Sequence, residues 1–293
     1  MKIASIIVSY NPDEENFTKV VNSLIDQLDF VLIIDNGSQN LAFIQSFSRF
    51  SNLKVLALNK NFGIAKATNE GFNEIIDKNY DFCLLSDQDT IYPMDYIDIF
   101  RNYVCNNSIK DVAVFAPVFY DILSSEFKPV YVVKNHRVKK ISVPKCPSYV
   151  FQAIASGLII DLKKIQEIGE MNEDLFIDYV DFEWCWRVNK AGFKILCLPQ
   201  LKIQHHLGDG SVSVGKKKIS EHSSIRYYYI TRNTFYLSLY TPYLGHLMKL
   251  QLFIKAVLYP LGYSILCKPR LRNAKYTLKG MFDGIFKRLG KLC

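Results

Sequence analysis

Short apolar runs alternate with amphipathic stretches along the first 85 residues of the chain. In order, the strand-like and helix-like segments are 3–9, 14–28, 30–34, 39–50, 53–58, 63–78 and 80–85. This alternation predicts βαβα units, which build a parallel sheet with helices on both faces. The sequence therefore predicts an α/β fold.

The pattern becomes mixed in the next part of the chain. Strand-like segments, a buried apolar run and two helical segments follow at 112–119, 129–133, 153–160, 181–191, 193–198 and 223–240. A single hydrophobic core usually stops growing at roughly 250–300 residues. We therefore predict one main domain over residues 1–242, which the last helical segment closes.

Residues 243–293 form a segment of different character. Lys249, Lys255 and Pro260 interrupt its apolar stretch, so it lacks the roughly 20 apolar residues of a membrane-spanning helix. The helix-period segment that follows sets an apolar face against basic residues, with Leu278, Met281, Phe282, Ile285, Phe286 and Leu289 opposite Lys279, Lys287 and Arg288. This pattern predicts a helical tail on an anionic membrane surface. The alternative is a surface helix packed on its own domain.

Charge is distributed unevenly along the chain. The net charge is +8, but residues 243–293 hold ten lysine and arginine residues against one acid, Asp283, which leaves residues 1–242 at −1. A nucleic-acid-binding protein would carry its basic surface on the folded domain. The charge pattern therefore argues against a nucleic-acid partner.

The cysteine pattern bears on the cellular compartment. The chain has seven cysteines, an odd number, and none of them form a CxxC pair. A disulfide framework and a zinc site are therefore disfavoured, and a reducing cytoplasm is favoured. The first apolar run, 3–8, is too short for a secretory signal peptide, so it is predicted as a strand.

Polar residues follow the apolar runs of the predicted parallel sheet, at Asn11, Asp35, Asn59 and Asp87. Ligands of open α/β sheets bind at the carboxyl ends of the strands. The sequence thus predicts that these side chains face one crevice.

The strongest local motif is Ser86-Asp87-Gln88-Asp89, directly after an apolar strand. Two carboxylates two positions apart at a strand end offer hard oxygen ligands for Mg²⁺ or Mn²⁺, which would bridge a diphosphate. The alternative is a solvated acidic turn.

Three further turns border the same crevice. Short polar side chains at 35–38 could receive a base or ribose, and Asn11 ends the first strand in the same way, although both segments also suit ordinary turns. Residues 59–63 lead into a helix whose N-terminus could bind an anion. Asn61 and Gly63 are therefore candidates for binding the nucleotide sugar. The alternative for that helix is close packing through its small residues.

The segment 178–187, Asp-Tyr-Val-Asp-Phe-Glu-Trp-Cys-Trp-Arg, is the second strong feature. If Asp178 caps a helix, Asp181 lies in the first turn, where a carboxylate could accept the proton of an attacking hydroxyl. The alternative is an acid that stabilises the helix N-terminus.

Two more groups are candidates on weaker grounds. His205 lies beside a loop, where an imidazole could ligate a metal or contact phosphate, although a loop histidine is more often incidental. Arg226 and Arg232 lie on one predicted helix together with Tyr229. These side chains could hold a diphosphate or a sugar, or they could anchor the helix.

Taken together, these segments resemble the family 2 glycosyltransferases, and within them the bacterial rhamnosyltransferases of O-antigen and related polysaccharide assembly. The likeness covers about residues 1–240 and rests on order and spacing. The matching pieces are 8–12, 35–38, 59–71, 87–89, 156–157, 181–187 and 205–208.

The resemblance implies a GT-A fold with a basic, amphipathic helical tail. It implies that Asp181 is the catalytic base of an inverting transfer and that Asp87, Asp89 and His205 engage Mg²⁺ or Mn²⁺. It assigns Asn11, Asp35 and Asp87 to the nucleotide sugar. Together with the candidates from the residues themselves, the predicted nucleotide-sugar site consists of Asn11, Asp35, Asn61, Gly63, Asp87, Arg226 and Arg232.

The resemblance also assigns acceptor contacts to Ser156, Gly157, Glu183 and Trp184. Many relatives have Glu where this chain has Val180, which weakens the acceptor assignment more than that of the base. The rhamnosyl branch implies dTDP-L-rhamnose as the donor and a saccharide, lipid-linked, as the acceptor. The expected location is the cytoplasm, at the inner face of the cell membrane.

Three other functions compete with this one. A sugar-nucleotide nucleotidyltransferase would open with a glycine-rich basic loop, whereas the first loop here is Ser-Tyr-Asn-Pro-Asp-Glu-Glu. A non-catalytic membrane-bound scaffold would have lost the metal acids or the base, yet all three acids are present. A family 2 transferase that uses a UDP- or GDP-hexose differs only in its donor and stays open.

Overall fold

The computed structural model describes residues 1–121, 126–205, 211–214, 217–220 and 222–292. The chain forms two compact units. The first consists of Met1–Val132, Lys139–Met171 and Asp181–His206, and the second of Val133–Val138, Asn172–Val180 and Leu207–Cys293. The second unit thus begins before residue 242, where the sequence placed a domain boundary.

The first part of the chain alternates strands and helices. In order these are β1 (Ile3–Ser9), α1 (Glu14–Leu24), β2 (Phe30–Asp35), α2 (Leu41–Gln45), β3 (Leu53–Ala57), α3 (Ile64–Ile75) and β4 (Phe82–Asp87). The predicted βαβα order is confirmed. The helix predicted over 39–50 is broken, because a 3₁₀ turn at Ser46–Arg49 follows α2.

The chain then continues with shorter strands. The elements are α4 (Tyr96–Asn106), β5 (Val112–Asp121), β6 (Glu126–Phe127), β7 (Val130–Lys134), β8 (Arg137–Ile141), β9 (Ser148–Val150), β10 (Ile159–Asp161), α5 (Leu162–Ile168), α6 (Val180–Lys190) and β11 (Lys194–His205). Only the end of the apolar run 153–160 becomes a strand. Helices α4 and α5 were not predicted.

The main sheet has the strand order β3-β2-β1-β4-β10-β5-β11-β9, and β6 pairs with β5. Strands β1, β2, β3 and β4 are parallel, while β10 runs antiparallel between β4 and β5. This mixed, mostly parallel sheet confirms the predicted α/β class. In the register, Ser9 lies opposite Asp35 and Val8 opposite Asp87, so these strands end at one edge of the sheet.

The core of the first unit is apolar on both faces of the sheet. Strand β1 is buried almost throughout, as is typical of a parallel strand covered on both sides. Phe17, Phe100 and Phe115 are fully buried in this core. A Cβ atom at Gly71 would lie 2.7 Å from Ile6 Cγ2, so the small residues of α3 allow the helix to pack directly on β1.

The second unit is mainly helical. Its elements after the sheet are a hairpin of β12 (Ser211–Val214) and β13 (Lys217–Ser220), then α7 (Ser224–Tyr240), α8 (His246–Leu266) and α9 (Arg270–Ile285). Helix α7 packs against both α8 and α9. None of the helices within the described ranges is long and apolar enough to span a bilayer.

Helix α9 packs closely on α7 through two glycines. A Cβ at Gly280 would lie 2.5 Å from the Tyr228 carbonyl oxygen, and one at Gly284 would lie 2.4 Å from the Arg232 carbonyl oxygen. We expect Gly280→Ala to lower the free energy of unfolding by about 1–3 kcal/mol, because backbone atoms cannot move aside cheaply. Thermal and urea denaturation measure the change.

Gly262→Ala in α8 is the matched control. No heavy atom lies within 4 Å of a Cβ built at Gly262, so this variant gains roughly 0.5–1 kcal/mol from the higher helix propensity of alanine. Equal stability of the two variants would contradict the close packing of α7 on α9.

Candidate functional site

Asp35 lies at the carboxyl end of β2 and is fully buried. Its Oδ2 accepts hydrogen bonds from the backbone N–H groups of Gly37 (3.2 Å) and Ser38 (3.1 Å). Its Oδ1 is buried and has no hydrogen-bond partner. Because an unsatisfied buried carboxylate oxygen is costly, this atom points to a donor group supplied by a ligand.

The turn after β2 is tied to the turn before α3. Asn36 Oδ1 accepts from Phe62 N (2.9 Å), and Asn36 Nδ2 donates to Asn61 Oδ1 (3.3 Å). Asn61 Oδ1 also accepts from Gly63 N (2.9 Å). Gly37 has φ +83°, and a Cβ there would lie 2.6 Å from the Lys60 carbonyl carbon, so only glycine fits.

Asn11 links the first turn to the second. Asn11 N donates to Ser38 Oγ (2.8 Å), and Asn11 Oδ1 accepts from Gln39 N (2.7 Å). Tyr10 N donates to Gln88 Oε1 (2.7 Å), which connects the same turn to the acidic motif. The predicted nucleotide residues at the ends of β1 and β2 and before α3 are therefore brought together on one edge of the sheet.

The acidic motif begins at the end of β4. Asp87 is half-buried and Asp89 is exposed. Two hydrogen bonds from Ser156 hold this turn: its Oγ donates to Thr90 Oγ1 (2.7 Å) and accepts from Asp87 N (3.3 Å). Burial beside this turn raises the pKa of Tyr92 well above its usual value, so the phenol stays neutral.

The residues of the motif fit a hard divalent cation. Among the described residues, no group of three His, Cys, Asp or Glu side chains could hold a metal alone. Mg²⁺ and Mn²⁺ at such sites take one or two carboxylates and complete their coordination with water and substrate phosphates. Asp87 and Asp89 supply that carboxylate pair, and Asp89 is open to solvent.

Asp181 lies in the first turn of α6 and is half-buried. Its Oδ1 accepts from Phe182 N (2.8 Å), and its Oδ2 accepts from Ala155 N (3.3 Å). These bonds fix the orientation of the carboxylate. Both roles considered from the sequence, base and helix-capping acid, are compatible with this geometry.

Neighbouring residues join Asp181 to the acidic motif. Ala155 N binds the Asp181 carboxylate, and the next residue, Ser156, binds Asp87 N through its hydroxyl. The candidate base and the candidate metal ligand are therefore held by adjacent positions of one chain segment. Nothing in the sequence pattern marked Ala155 for this role.

Ser156 and Gly157 are structural in this fold, which corrects the expectation that they contact the acceptor. Ser156 is fully buried beneath the acidic turn. Gly157 donates to the Leu85 carbonyl oxygen (2.8 Å) and accepts from the Tyr96 hydroxyl (2.7 Å). A Cβ at Gly157 would lie 2.8 Å from Pro117 Cγ, so this segment packs closely on its neighbours.

The expectation that Glu183 and Trp184 contact the acceptor is corrected for the same reason. Glu183 is 2% exposed and pairs with Arg187, whose Nε lies 2.9 Å from Glu183 Oε1. Trp184 is fully buried and donates from Nε1 to the Gly169 carbonyl oxygen (2.8 Å). Both side chains point into the protein, so neither can reach an acceptor.

Asp178 does not cap α6. It has φ +64°, two residues before the helix begins, and its Oδ1 accepts from Arg226 Nε (3.2 Å). Burial raises the pKa of Asp178, and the Arg226 guanidinium only partly offsets this effect. The predicted role of Arg226 in binding the nucleotide sugar stays a prediction, and its described partner is this carboxyl group.

Arg232 anchors its helix, which was the alternative considered from the sequence. The side chain is fully buried, and its Nη2 donates to the carbonyl oxygens of Asp174 (3.0 Å) and Leu175 (2.8 Å). Its Nη1 donates to the Gly290 carbonyl oxygen. With its guanidinium used in this way, Arg232 is not available to a nucleotide sugar.

The prediction for His205 lies outside what the structure describes. His205 is the last residue of β11, but its side chain and residues 206–210 are not among the described parts.

Sequence reasoning missed Tyr131 of β7. Its ring lies 5.7 Å from the ring of Phe182, centroid to centroid. Burial and the nearby Asp181 carboxylate together raise the pKa of Tyr131. A half-buried aromatic residue therefore lies beside the candidate base.

Comparison with known sequences gives two matches. The family described as Glycosyl transferase family 2 matches residues 5–150. The dTDP-rhamnosyl transferase RfbF of Shigella flexneri is 31% identical over 238 residues, which is 80% of this chain and 79% of RfbF.

Solved structures share the fold. S. aureus TarS 1–349 in complex with UDP-GlcNAc matches with a TM-score of 0.59 at 16% identity, over 98% of this chain and 82% of that chain. GalNAc-T7 with UDP, GalNAc and Mn²⁺ matches with a TM-score of 0.57 at 13% identity, over 89% of this chain and 57% of that one.

Proposed function

The chain belongs to glycosyl transferase family 2, and on that premise we propose that it transfers L-rhamnose from dTDP-L-rhamnose to a saccharide acceptor with inversion at the anomeric carbon. One observation carries the proposal. Ala155 and Ser156, adjacent in the chain, bind the candidate base Asp181 and the acidic turn at Asp87. In the proposed reaction, the proton acceptor and the diphosphate-binding turn are supported by this one chain segment.

The donor assignment rests on the relative and on Asp35. RfbF carries the name of a dTDP-rhamnosyl transferase. The buried, unpartnered Asp35 Oδ1 suits an N–H donor, and the imide N–H of a thymine or uracil base supplies one. Asn11, Asn61 and Gly63 shape the same edge of the site and complete the proposed nucleotide subsite.

We propose a divalent cation, Mg²⁺ or Mn²⁺, at Asp87 and Asp89. Such an ion neutralises charge on the leaving diphosphate. The chain's own contribution is to fix the two carboxylates: Ser156 holds the Asp87 backbone, and Tyr10 N holds Gln88 between them.

Asp181 acts as the base. Its carboxylate accepts the proton of the acceptor hydroxyl while that oxygen attacks the anomeric carbon from the face opposite the leaving dTDP. The Ala155 and Phe182 N–H groups hold the carboxylate in place, which reduces the motion needed during the reaction.

The acceptor is proposed to be a lipid-linked saccharide, reached at a membrane surface. Exposed apolar side chains recur along α8 at three- and four-residue intervals, at Leu247, Leu250, Ile254, Leu258, Leu261 and Ile265. Helix α9 adds exposed Leu278 and Phe282 beside basic residues. An exposed apolar stripe of this length with basic neighbours is typical of an interfacial helix.

We expect the triple variant Leu258→Ser, Leu261→Ser, Ile265→Ser to weaken binding to anionic vesicles at least about 100-fold. Each apolar side chain contributes roughly 1.5–3 kcal/mol when it leaves water. Vesicle co-sedimentation measures the change. This variant is sharper than deletion of residues 243–293, because deletion would also remove the helices that pack on α7.

Met94→Ser is the matched control for that variant. Met94 is 68% exposed and lies in the first unit, so its loss should leave vesicle binding unchanged. If the triple variant sediments with vesicles as wild type does, the tail is not the membrane contact.

The proposed reaction is tested by donor turnover. Purified protein with Mn²⁺ is incubated with bacterial membrane lipids and, separately, dTDP-L-rhamnose, UDP-hexoses and GDP-hexoses, and the released nucleotide diphosphate is measured. Lipid-dependent release from dTDP-L-rhamnose supports the proposal. Release only from a UDP- or GDP-sugar replaces the donor, and no release from any donor favours a non-catalytic scaffold.

A further inference from the structure

Phe62 presents an exposed aromatic ring on the sheet edge that carries the proposed nucleotide subsite. The residue is 37% exposed and lies in the turn that precedes α3. Within the described ranges, Tyr10 is the other exposed aromatic residue in the turns of this subsite, and its N–H is bound to Gln88 of the acidic motif (2.7 Å). Neither the core nor the proposed reaction accounts for an exposed phenyl ring at position 62.

The strand order places the turn of Phe62 at the base end of the proposed subsite. In the sheet, β3 and β1 lie on opposite sides of β2, and β4 lies beyond β1. Asp35 ends β2, Asp87 ends β4, and Ala57, the last residue of β3, lies opposite Asp35 in the register. A nucleotide with its base at Asp35 and its diphosphate at Asp87 therefore has its base toward β3. The segment 58–63, which follows β3, borders the base and not the phosphates.

A hydrogen bond and close packing hold Phe62 beside Asp35. Asn36, the residue after Asp35, accepts a hydrogen bond at Oδ1 from Phe62 N (2.9 Å). A Cβ at Gly37 would lie 2.6 Å from the Lys60 carbonyl carbon, so the two turns are in direct contact. The backbone of Phe62 is thus one hydrogen bond away from the residue next to Asp35. A base that binds Asp35 meets a pre-formed surface, which lowers the cost of ordering it.

Lys60 covers part of the Phe62 ring. Its Nζ lies 4.9 Å from the ring centroid, a distance at which the ammonium group is attracted by the negative face of the ring. Both side chains are exposed, so this attraction restrains the ring where no surrounding core does. The exposed remainder of the ring is an apolar surface open to a ligand.

We propose that Phe62 determines donor specificity by contacting the 5-methyl group of a thymine base. The proposal rests on the proposed function and deepens it, because it explains how a thymidine donor is distinguished from a uridine donor. Thymine and uracil present the same imide N–H to Asp35 Oδ1, so this carboxylate alone cannot tell them apart. The methyl group, on the other side of the O4 carbonyl from that N–H, is the group that differs. A phenyl ring is a suitable apolar partner for it.

One methyl group sets the size of the expected preference. Removing a methylene-sized apolar group from water favours binding by about fourfold, and an enclosed apolar pocket reaches about tenfold or more. Phe62 lies at an exposed turn and not in an enclosed pocket. We therefore expect wild-type protein to bind a thymine nucleotide about 3–10-fold more tightly than the matching uracil nucleotide.

The test compares dTDP with dUDP, two nucleotides that differ only in the 5-methyl group. Wild-type protein and the variant Phe62→Ala are titrated with each nucleotide by calorimetry in saturating Mn²⁺. The readout is the ratio of the two affinities, because a poorly folded variant would lose affinity for both nucleotides alike. We expect Phe62→Ala to bring the ratio to within about twofold of one, since the apolar partner of the methyl group is gone.

Two further variants show whether the loss is specific. Phe62→Leu keeps an apolar side chain and should retain most of the preference for dTDP. Tyr149→Ala removes an aromatic residue that is 60% exposed on β9, at the opposite end of the sheet from β3, and should retain all of it. A ratio near one in wild type overturns the proposal. So does an unchanged ratio in Phe62→Ala, including the case in which both affinities fall equally because the ring only stacks on the base.

Titration with UDP and GDP, together with donor turnover, separates this inference from the proposed function. If UDP or GDP binds more tightly than dTDP, the donor assignment fails and the role of Phe62 fails with it. If the protein releases dTDP from dTDP-L-rhamnose but binds dTDP and dUDP equally, the transferase stands and only the role of Phe62 is overturned. Turnover of dTDP-L-rhamnose together with a dTDP preference that Phe62→Ala abolishes supports both.

Discussion

Asp181→Asn lowers the rate of sugar transfer by about 10²–10⁴-fold, the usual contribution of a general base, while nucleotide binding is retained. The amide keeps the size of the side chain, and its one oxygen can still accept from either Ala155 N or Phe182 N, but it cannot take up a proton. Steady-state transfer rates and calorimetric nucleotide affinity, measured on the same preparation, check both parts.

Asp98→Asn is the control for that substitution. Asp98 is exposed on α4, so its replacement should leave both the transfer rate and the nucleotide affinity unchanged. An Asp181→Asn enzyme within about threefold of wild type would remove Asp181 as the base and leave it as the acid that stabilises the start of α6.

Asp89→Ala should reduce metal-dependent nucleotide binding by roughly 10²-fold or more. Asp89 is one of only two carboxylates in the motif, and it is exposed, so its loss removes a metal ligand without opening a cavity in the core. Several kcal/mol of charge stabilisation correspond to two or more powers of ten. Calorimetry with dTDP, with and without Mn²⁺, measures the loss.

Asp98→Ala again provides the control, and the melting temperature shows whether either variant has changed the fold. If Asp89→Ala binds dTDP with the same Mn²⁺ dependence as wild type, the acidic motif is a solvated turn and the metal site lies elsewhere.

The sequence predicted the sheet edge well, for a physical reason. Strands β1, β2 and β4 are almost wholly buried, so each appears as a mainly apolar run that ends at a polar residue. Asp35 and Asp87 could therefore be placed at one edge before any register was known. The residues 155–156, which connect the base to the acidic turn, lie inside an apolar run that has no such endpoint.

Side-chain direction explains why the acceptor roles predicted for residues of α6 were wrong. Asp181 and Glu183 are close in sequence, but two residues of an α-helix turn by about 200°, so the two carboxylates leave on different faces. Asp181 accepts from Ala155 N, while Glu183 is buried against Arg187. A motif carried over by position cannot separate these two directions.

The position of Arg232 shows that the charge of a side chain alone does not predict what it binds. An arginine near tyrosines on a helix suits a phosphate site, yet its partners are the carbonyl oxygens of residues 174, 175 and 290, more than 50 positions away. Backbone acceptors leave no signal in side-chain composition.

The central claim, a dTDP-sugar donor bound at Asp35 and at the acidic motif, is tested most directly by calorimetry of dTDP, UDP and GDP, with and without Mn²⁺. The account predicts that dTDP binds more tightly than UDP or GDP, that binding depends on Mn²⁺, and that Asp89→Ala loses it. Tighter binding of UDP or GDP would contradict the donor, and no nucleotide binding would contradict the transferase itself.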